Sequence, residues 1–92
     1  MNAVFADTFY WIALADSTDS SHRQALALTS ERATSRIVTT DEVLTEYLTF
    51  FATAPEQFRH EAAESVERIL ASSVIQVIQQ SRGSGFFHAL YI

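Results

Sequence analysis

Several residue types and segment types are missing from this chain, and each absence restricts what the protein can be. There is no cysteine, which rules out disulfide bridges, zinc fingers and cysteine nucleophiles and fits a reducing cytoplasm. No stretch is apolar over the length that a bilayer requires, and no basic region followed by a long apolar stretch begins the chain. The sequence therefore predicts one cytoplasmic domain over residues 1–92, with no membrane partner.

Lysine is also absent, and the formal net charge of −5 is unusual for a protein that binds a polyanion. The six basic residues are all arginines scattered along the chain, so no basic face is visible. Acidity still permits a nuclease whose carboxylates hold divalent cations, because the bound ions reverse the local field that the substrate meets. The charge argues against an indiscriminate nucleic-acid binder.

Apolar periodicity and turn signals predict alternating strands and helices. Strands are expected at residues 3–6, 37–39 and 74–78, with helices at 8–15, about 22–34, from about 40 to before Pro55, from Pro55 onward, and after Gly85. Helical pairs between strands imply parallel pairing with right-handed crossovers, and hence an α/β layered sheet.

Local details of these helices are also predicted. The first helix is apolar on all sides and should be largely covered, and Phe58 should face the core from the fourth helix. A capping box is expected at the start of the third helix, with Thr39 as the cap and Glu42 reaching back. On the outer face of the fourth helix, Glu64 and Arg68 are spaced for an i,i+4 ion pair.

The most informative segment runs from Val4 to Leu14, where a short apolar strand ends in Asp7 and a helix begins at once. In open α/β sheets the active crevice lies outside the carboxyl ends of the strands, so Asp7 is a candidate metal ligand or nucleophile. Asp and Thr are also favoured N-caps, so Asp7 or Thr8 can instead satisfy the free amides of the first turn. The residues alone leave both interpretations open.

Segment 4–14 resembles the start of a PIN domain, the metal-dependent nuclease family that includes the VapC-type toxins of toxin–antitoxin pairs. The polar run 16–22 and residues 23–25 look like the family's next loop and second helix, and 37–46 looks like its second strand and the helix that carries its second acidic residue. The resemblance covers nearly the whole chain in the same order. It implies a PIN-like three-layer fold, with a parallel central sheet flanked by helices and three of its strands present here.

The resemblance also implies a function and a site. Asp7 and Glu46 would be ligands of Mg²⁺ or Mn²⁺ and, with Thr8, the catalytic residues of an endoribonuclease. From its position outside the apolar stripe of its helix, Glu46 would otherwise be read as a solvated surface residue. The implied partners are an RNA substrate, an antitoxin protein and a second copy of the chain as a homodimer.

The other titratable and aromatic residues have structural interpretations. Three aspartates near loop-to-helix junctions are expected to cap helices or form Asx turns: Asp16, Asp19 and Asp41. The histidines form no i,i+4 pair with an intervening glutamate, as a zinc hydrolase would need, and are expected on the surface: His22, His60 and His88. The aromatic pairs Phe50–Phe51 and Phe86–Phe87 are expected in the core or at dimer contacts.

The end of the sequence departs from the family pattern. PIN domains of this type continue into a fourth strand, preceded by a Ser-Leu-Thr-Asp-like segment with a third carboxylate, whereas this sequence stops at Ile92 and has no acidic residue after Glu67. Impaired catalysis and an unpaired first strand that favours self-association are therefore expected.

Two rival functions follow. One is a catalytically inert PIN remnant that dimerises or binds an antitoxin-like helix in an apolar groove. The other is a phosphohydrolase with Asp7 as its nucleophile, which is disfavoured because Phe9 stands where that chemistry needs a second acid.

Overall fold

The elements of the chain repeat a strand–helix–helix unit. The computed structural model describes residues 3–31 and 35–80. Along these residues the elements are β1 (Ala3–Phe5), α1 (Thr8–Ala15), α2 (His22–Glu31), β2 (Arg36–Thr40), α3 (Asp41–Phe50), α4 (Glu56–Ala71) and β3 (Ile75–Ile78). The predicted alternation of strands and helices is confirmed to within one or two residues at most boundaries. The predicted last residues of the second helix, 32–34, and the helix predicted after Gly85 lie outside the described residues. Helix α3 ends at Phe50, several residues before Pro55.

The three strands form one parallel sheet in the order β1-β2-β3. Val4 lies opposite Ile37 in the first pair, and Thr39 lies opposite Val77 in the second. The β-branched residues of β2 suit this central position, because they pack well on a pleated surface with neighbours on both sides. Since all three strands run the same way, their carboxyl ends meet at one edge, which we call the carboxyl edge. The predicted α/β class with a parallel three-stranded sheet is confirmed.

The core lies between the sheet and helices α1, α3 and α4. Helix α3 contributes Val43, Leu44 and Tyr47, spaced to lie on one face, and α4 contributes Ala62, Val66 and Ile69 in the same way. Sheet residues Ile37, Ile75 and Val77 pack against this cluster. Elements from β1 to β3 therefore share one core. Within the described residues, none of the helices has both the length and the apolar character that crossing a bilayer requires.

Two apolar side chains expected to be covered are exposed. Phe9, in the first turn of α1, is 80% exposed, although Trp11, Ile12 and Ala13 of the same helix are buried. Phe58 of α4 is also exposed and lies beside a surface groove. The prediction for Phe58 is wrong, whereas Phe9 is an exception in a helix that is otherwise largely covered. A helix that packs on one layer buries only the side facing that layer.

The cap of α3 lies one residue later than predicted. Thr40 is the N-cap, and its hydroxyl accepts a hydrogen bond from the backbone N–H of Val43 at 3.1 Å. Thr39, the predicted cap, remains in β2. The predicted capping box is wrong, because β2 continues to Thr40 and the third residue of the helix is then Val43, so Glu42 is not at the position that reaches back to the cap.

The charged side chains on the outer face of α4 have different partners from those predicted. The Glu64 carboxylate lies 3.4 Å from the imidazole Nε2 of His60, which is also an i,i+4 neighbour. Arg68 instead donates a hydrogen bond to the Ser65 hydroxyl at 3.1 Å. Both groups are exposed, so neither contact contributes much to stability.

Strand β1 forms one edge of the described sheet. On the face turned away from the core, Phe5, Gln76 and Ile78 are exposed. The described residues therefore cover one face of the sheet with helices, and the third layer of the expected fold stays a prediction.

We expect the chain to self-associate through β1. The strand carries no charge or proline that would oppose pairing with another chain. Light scattering of the wild-type chain at micromolar concentration should give a mass above 10.3 kDa, the mass of one chain. Phe5→Lys should lower that mass, whereas Leu28→Lys, at another exposed apolar position on α2, should not. A wild-type monomer would show that β1 is not an association site.

Candidate functional site

Asp7 stands at the carboxyl edge, between the end of β1 and the start of α1. Its backbone is extended, and its Oδ1 accepts a hydrogen bond from the Tyr10 backbone N–H at 3.0 Å, so Asp7 is the N-cap of α1. The carboxylate is exposed. Because the cap uses one of its two oxygens, capping and ligand binding do not compete for the same atom.

Thr8 and Glu46 are brought together by the fold. The Thr8 hydroxyl donates a hydrogen bond to Glu46 Oε1 at 3.3 Å, across 38 positions of sequence. Because Asp7 caps the helix, the Thr8 hydroxyl is available for this contact. Glu46 is exposed, as its place outside the apolar stripe of α3 predicted. The start of α1, with Asp7 beside it, thus lies next to the middle of α3.

The candidate residues Asp7, Thr8 and Glu46 can offer only oxygen ligands to a metal, namely two carboxylates and a hydroxyl. Hard divalent cations such as Mg²⁺ prefer such ligands, so the chemistry of the donor set fits the expected ion. No group of three or more His, Asp or Glu side chains that could hold a metal occurs within residues 3–31 and 35–80. An ion held by Asp7, Thr8 and Glu46 would therefore need water or substrate to complete its coordination.

Two of the remaining aspartates make local turns, as predicted. Asp16 Oδ1 accepts hydrogen bonds from both the backbone N–H and the hydroxyl of Thr18, at 2.9 and 2.6 Å. These bonds lower the pKa of the Asp16 carboxyl, the hydroxyl bond being the larger cause. Asp19 Oδ1 accepts from the backbone N–H of Ser21 at 2.8 Å.

Asp41 is buried at the start of α3, and the sequence did not indicate its long-range contact. Its Oδ1 accepts a hydrogen bond from the backbone N–H of Gln80 at 2.9 Å. Gln80 lies two residues beyond β3, so Asp41 ties the exit of that strand to the end of β2. The sequence indicated only a local role for Asp41, as a helix cap or in an Asx turn, whereas the cap is Thr40 and Asp41 is the first residue of α3.

Thr39 also makes long-range contacts, with residues on both sides of Asp7 in the sequence. The buried hydroxyl of Thr39 donates to the carbonyl of Ala6 at 2.9 Å and accepts from the indole Nε1–H of Trp11 at 3.2 Å. These bonds connect β2 with the last residue before Asp7 and with α1. Sequence patterns predicted only a capping role for Thr39, so this contact was missed.

An aromatic groove runs between α1, α3 and α4. It comprises two adjoining cavities of about 540 and 530 Å³ that share part of their lining. Its apolar wall is formed by Trp11, Leu14, Tyr47, Phe50, Phe51 and Phe58. The Phe51 ring contacts the rings of Tyr47 and Phe50 edge to face, and burial raises the pKa of the Tyr47 hydroxyl. The charged residues along the groove are Asp16, Glu61 and Arg68.

The histidines do not converge on the candidate site within the described residues. His60 is exposed beside Glu64. His22, expected on the surface, is instead half-buried, with its Nδ1 2.6 Å from the carbonyl oxygen of Ala13. His88 lies outside the described residues.

Comparisons with models of known protein families, with curated proteins and with solved structures find no match to this chain. Membership of the PIN family therefore stays a prediction that rests on the sequence features.

Proposed function

We propose that this chain is a PIN-type endoribonuclease that uses Mg²⁺ or Mn²⁺ and acts in the cytoplasm as the toxin of a toxin–antitoxin pair. The observation that carries the proposal is the 3.3 Å contact between the Thr8 hydroxyl and Glu46 Oε1. It joins the two short segments that resemble the family at the edge of the sheet where α/β proteins bind their ligands. Net acidity is compatible with this function because a bound cation changes the sign of the local field.

Each of the three residues has a distinct role in this proposal. The Asp7 and Glu46 carboxylates hold the cation, and both are exposed, so RNA can approach them. Thr8 orients Glu46 through its hydrogen bond, and the Tyr10 backbone N–H orients Asp7. When bound, a divalent cation stabilises charge on the phosphoryl group and lowers the pKa of a coordinated water.

With two carboxylates, the site is expected to bind its cation weakly and to cleave RNA slowly. Mg²⁺ takes near-octahedral oxygen coordination and loses its water reluctantly. A site with few protein ligands therefore holds the ion with little more free energy than water does. RNA phosphates would supply part of the coordination.

Glu46→Gln tests the proposed site directly. Glutamine can still accept the hydrogen bond from Thr8, so the change removes charge while keeping the contact. We expect Mn²⁺ binding, measured by electron paramagnetic resonance of the free ion, to fall about tenfold or more, since even outer-shell partners of a metal ligand contribute 10- to 100-fold.

Glu42→Gln is the matched control, because Glu42 is an exposed glutamate on the same helix. It should leave Mn²⁺ binding unchanged. Equal affinities for wild type, Glu46→Gln and Glu42→Gln would contradict the assignment of Glu46 as a ligand.

The aromatic groove favours a second candidate function, that of a module that binds an antitoxin-like helix. The groove has an aromatic wall with partly exposed rings, which suits the apolar face of an amphipathic helix. At one end its charged residues are Asp16 and Glu61. A partner helix with basic residues beside its apolar face is complementary to that end.

A synthetic amphipathic helix with arginines beside its apolar face should bind this groove. Trp11 is the only tryptophan and lines the groove, so its fluorescence reports binding. Phe58→Ala should weaken peptide binding about tenfold, since an anchoring aromatic side chain typically contributes more than 1 kcal/mol to binding. Phe9→Ala removes an exposed ring that is not part of the groove, so this variant should bind the peptide as wild type does. Equal weakening by both variants would exclude the groove as the binding surface.

A further inference from the structure

Thr39 is a fully buried polar residue that connects three elements. Its side chain is 0% exposed, in a core that is otherwise mainly apolar. Its hydroxyl donates to the Ala6 carbonyl at 2.9 Å and accepts from the Trp11 indole at 3.2 Å. A hydroxyl has one proton to donate and two lone pairs, so these two bonds use its single donor and one acceptor.

Both partners of Thr39 flank Asp7. Ala6 is the residue immediately before it, and the Ala6 backbone N–H also bonds to the Val38 carbonyl at 2.8 Å. Trp11 lies one turn after it, and the Trp11 backbone N–H bonds to the Asp7 carbonyl at 3.3 Å. The Thr39 hydroxyl therefore holds the chain on both sides of Asp7, at the point where β1 turns into α1.

We propose that Thr39 is a positioning residue that sets the direction of the Asp7 carboxylate. The inference rests on the proposed function, in which Asp7 holds the cation. The hydroxyl acts through the Ala6–Asp7 peptide and through α1, and it does not touch the cation or the RNA. Its partners are buried and directional, so it fixes the β1–α1 turn more tightly than apolar contact alone.

Thr39→Val separates this role from packing. Valine has nearly the same shape, so the space stays filled, but the Ala6 carbonyl and the Trp11 indole lose their shared partner. The turn is expected to relax so that these groups reach other partners, and the Asp7 side chain moves with it. Thr39→Ser keeps the hydroxyl and serves as the matched control.

Hydrogen exchange of the Tyr10 backbone amide reports the placement of Asp7, because that amide donates to Asp7 Oδ1. In Thr39→Val it should exchange about tenfold faster than in wild type, and the single indole N–H resonance should shift. Thr39→Ser should resemble wild type in both measurements. Mn²⁺ affinity should fall about tenfold in Thr39→Val and be retained in Thr39→Ser, within the range known for outer-shell partners.

Wild-type rates of Tyr10 exchange in a folded Thr39→Val variant would overturn the proposal. If wild type shows no Mn²⁺ binding that depends on Asp7, the proposed function fails, while the exchange comparison still decides the positioning role. Thr39→Ala is a second variant in case Thr39→Val does not fold. A folded Thr39→Ser beside unfolded Val and Ala variants would assign the hydroxyl to stability alone and would also overturn the proposal.

Discussion

Asp7→Asn is expected to remove metal-dependent RNA cleavage, with a loss on the order of 100-fold or more. Asparagine is as good an N-cap as aspartate, so the hydrogen bond from the Tyr10 amide and the start of α1 should survive. The negative charge that attracts the cation is lost. Because catalytic groups that act as a unit do not lose activity in additive parts, removal of one ligand should remove most of the activity.

The assay is hydrolysis of a mixed RNA pool with Mg²⁺ or Mn²⁺, with and without EDTA. Asp19→Asn is the matched control, because Asp19 makes an Asx turn that asparagine also makes. It should cleave RNA as wild type does. Vigorous cleavage that neither EDTA nor Asp7→Asn reduces would refute the mechanism and would direct attention to residues assigned here to the surface.

Leu44→Ala is expected to have the largest effect on stability. Leu44 is 0% exposed and belongs to the cluster that joins α1, α3, α4 and the sheet. Removing its buried methyl groups should lower the free energy of unfolding by about 3 kcal/mol, within the usual range of 2–5 for such changes. Since folded proteins have only about 5–15 kcal/mol in total, this loss is a large share of the stability.

Urea denaturation followed by far-ultraviolet circular dichroism measures this change. Leu26→Ala is the control, because Leu26 also lies in a helix but is 48% exposed. The intrinsic helix propensity changes equally in both variants, so their difference isolates burial. Leu26→Ala should alter the free energy of unfolding by no more than about 0.5 kcal/mol. Similar losses in the two variants would contradict the position of the core.

The sequence placed the candidate residues better than it placed their contacts. It left open whether Asp7 or Thr8 caps α1, and the structure assigns the cap to Asp7 and the Thr8 hydroxyl to Glu46. It predicted the N-cap of α3 one residue early, and with it a capping box that the structure does not have at this helix, because β2 and α3 are adjacent and a local pattern cannot show where the strand stops. It predicted that Phe58 faces the core, and it did not single out Phe9 as exposed, since periodicity marks apolar positions without showing whether another layer covers them.

By itself, the sequence determined the elements and the face of each that is apolar, since both follow from local spacing of residue types. It thereby predicted the parallel α/β sheet, the exposed position of Glu46 and the place of Asp7 at the end of β1. Only the tertiary structure decided which distant residues meet: Thr8 with Glu46, Asp41 with Gln80, and Thr39 with Ala6 and Trp11. These contacts span 28 to 39 positions of the chain. They depend on the register of the strands and the packing of the helices, which no local pattern encodes.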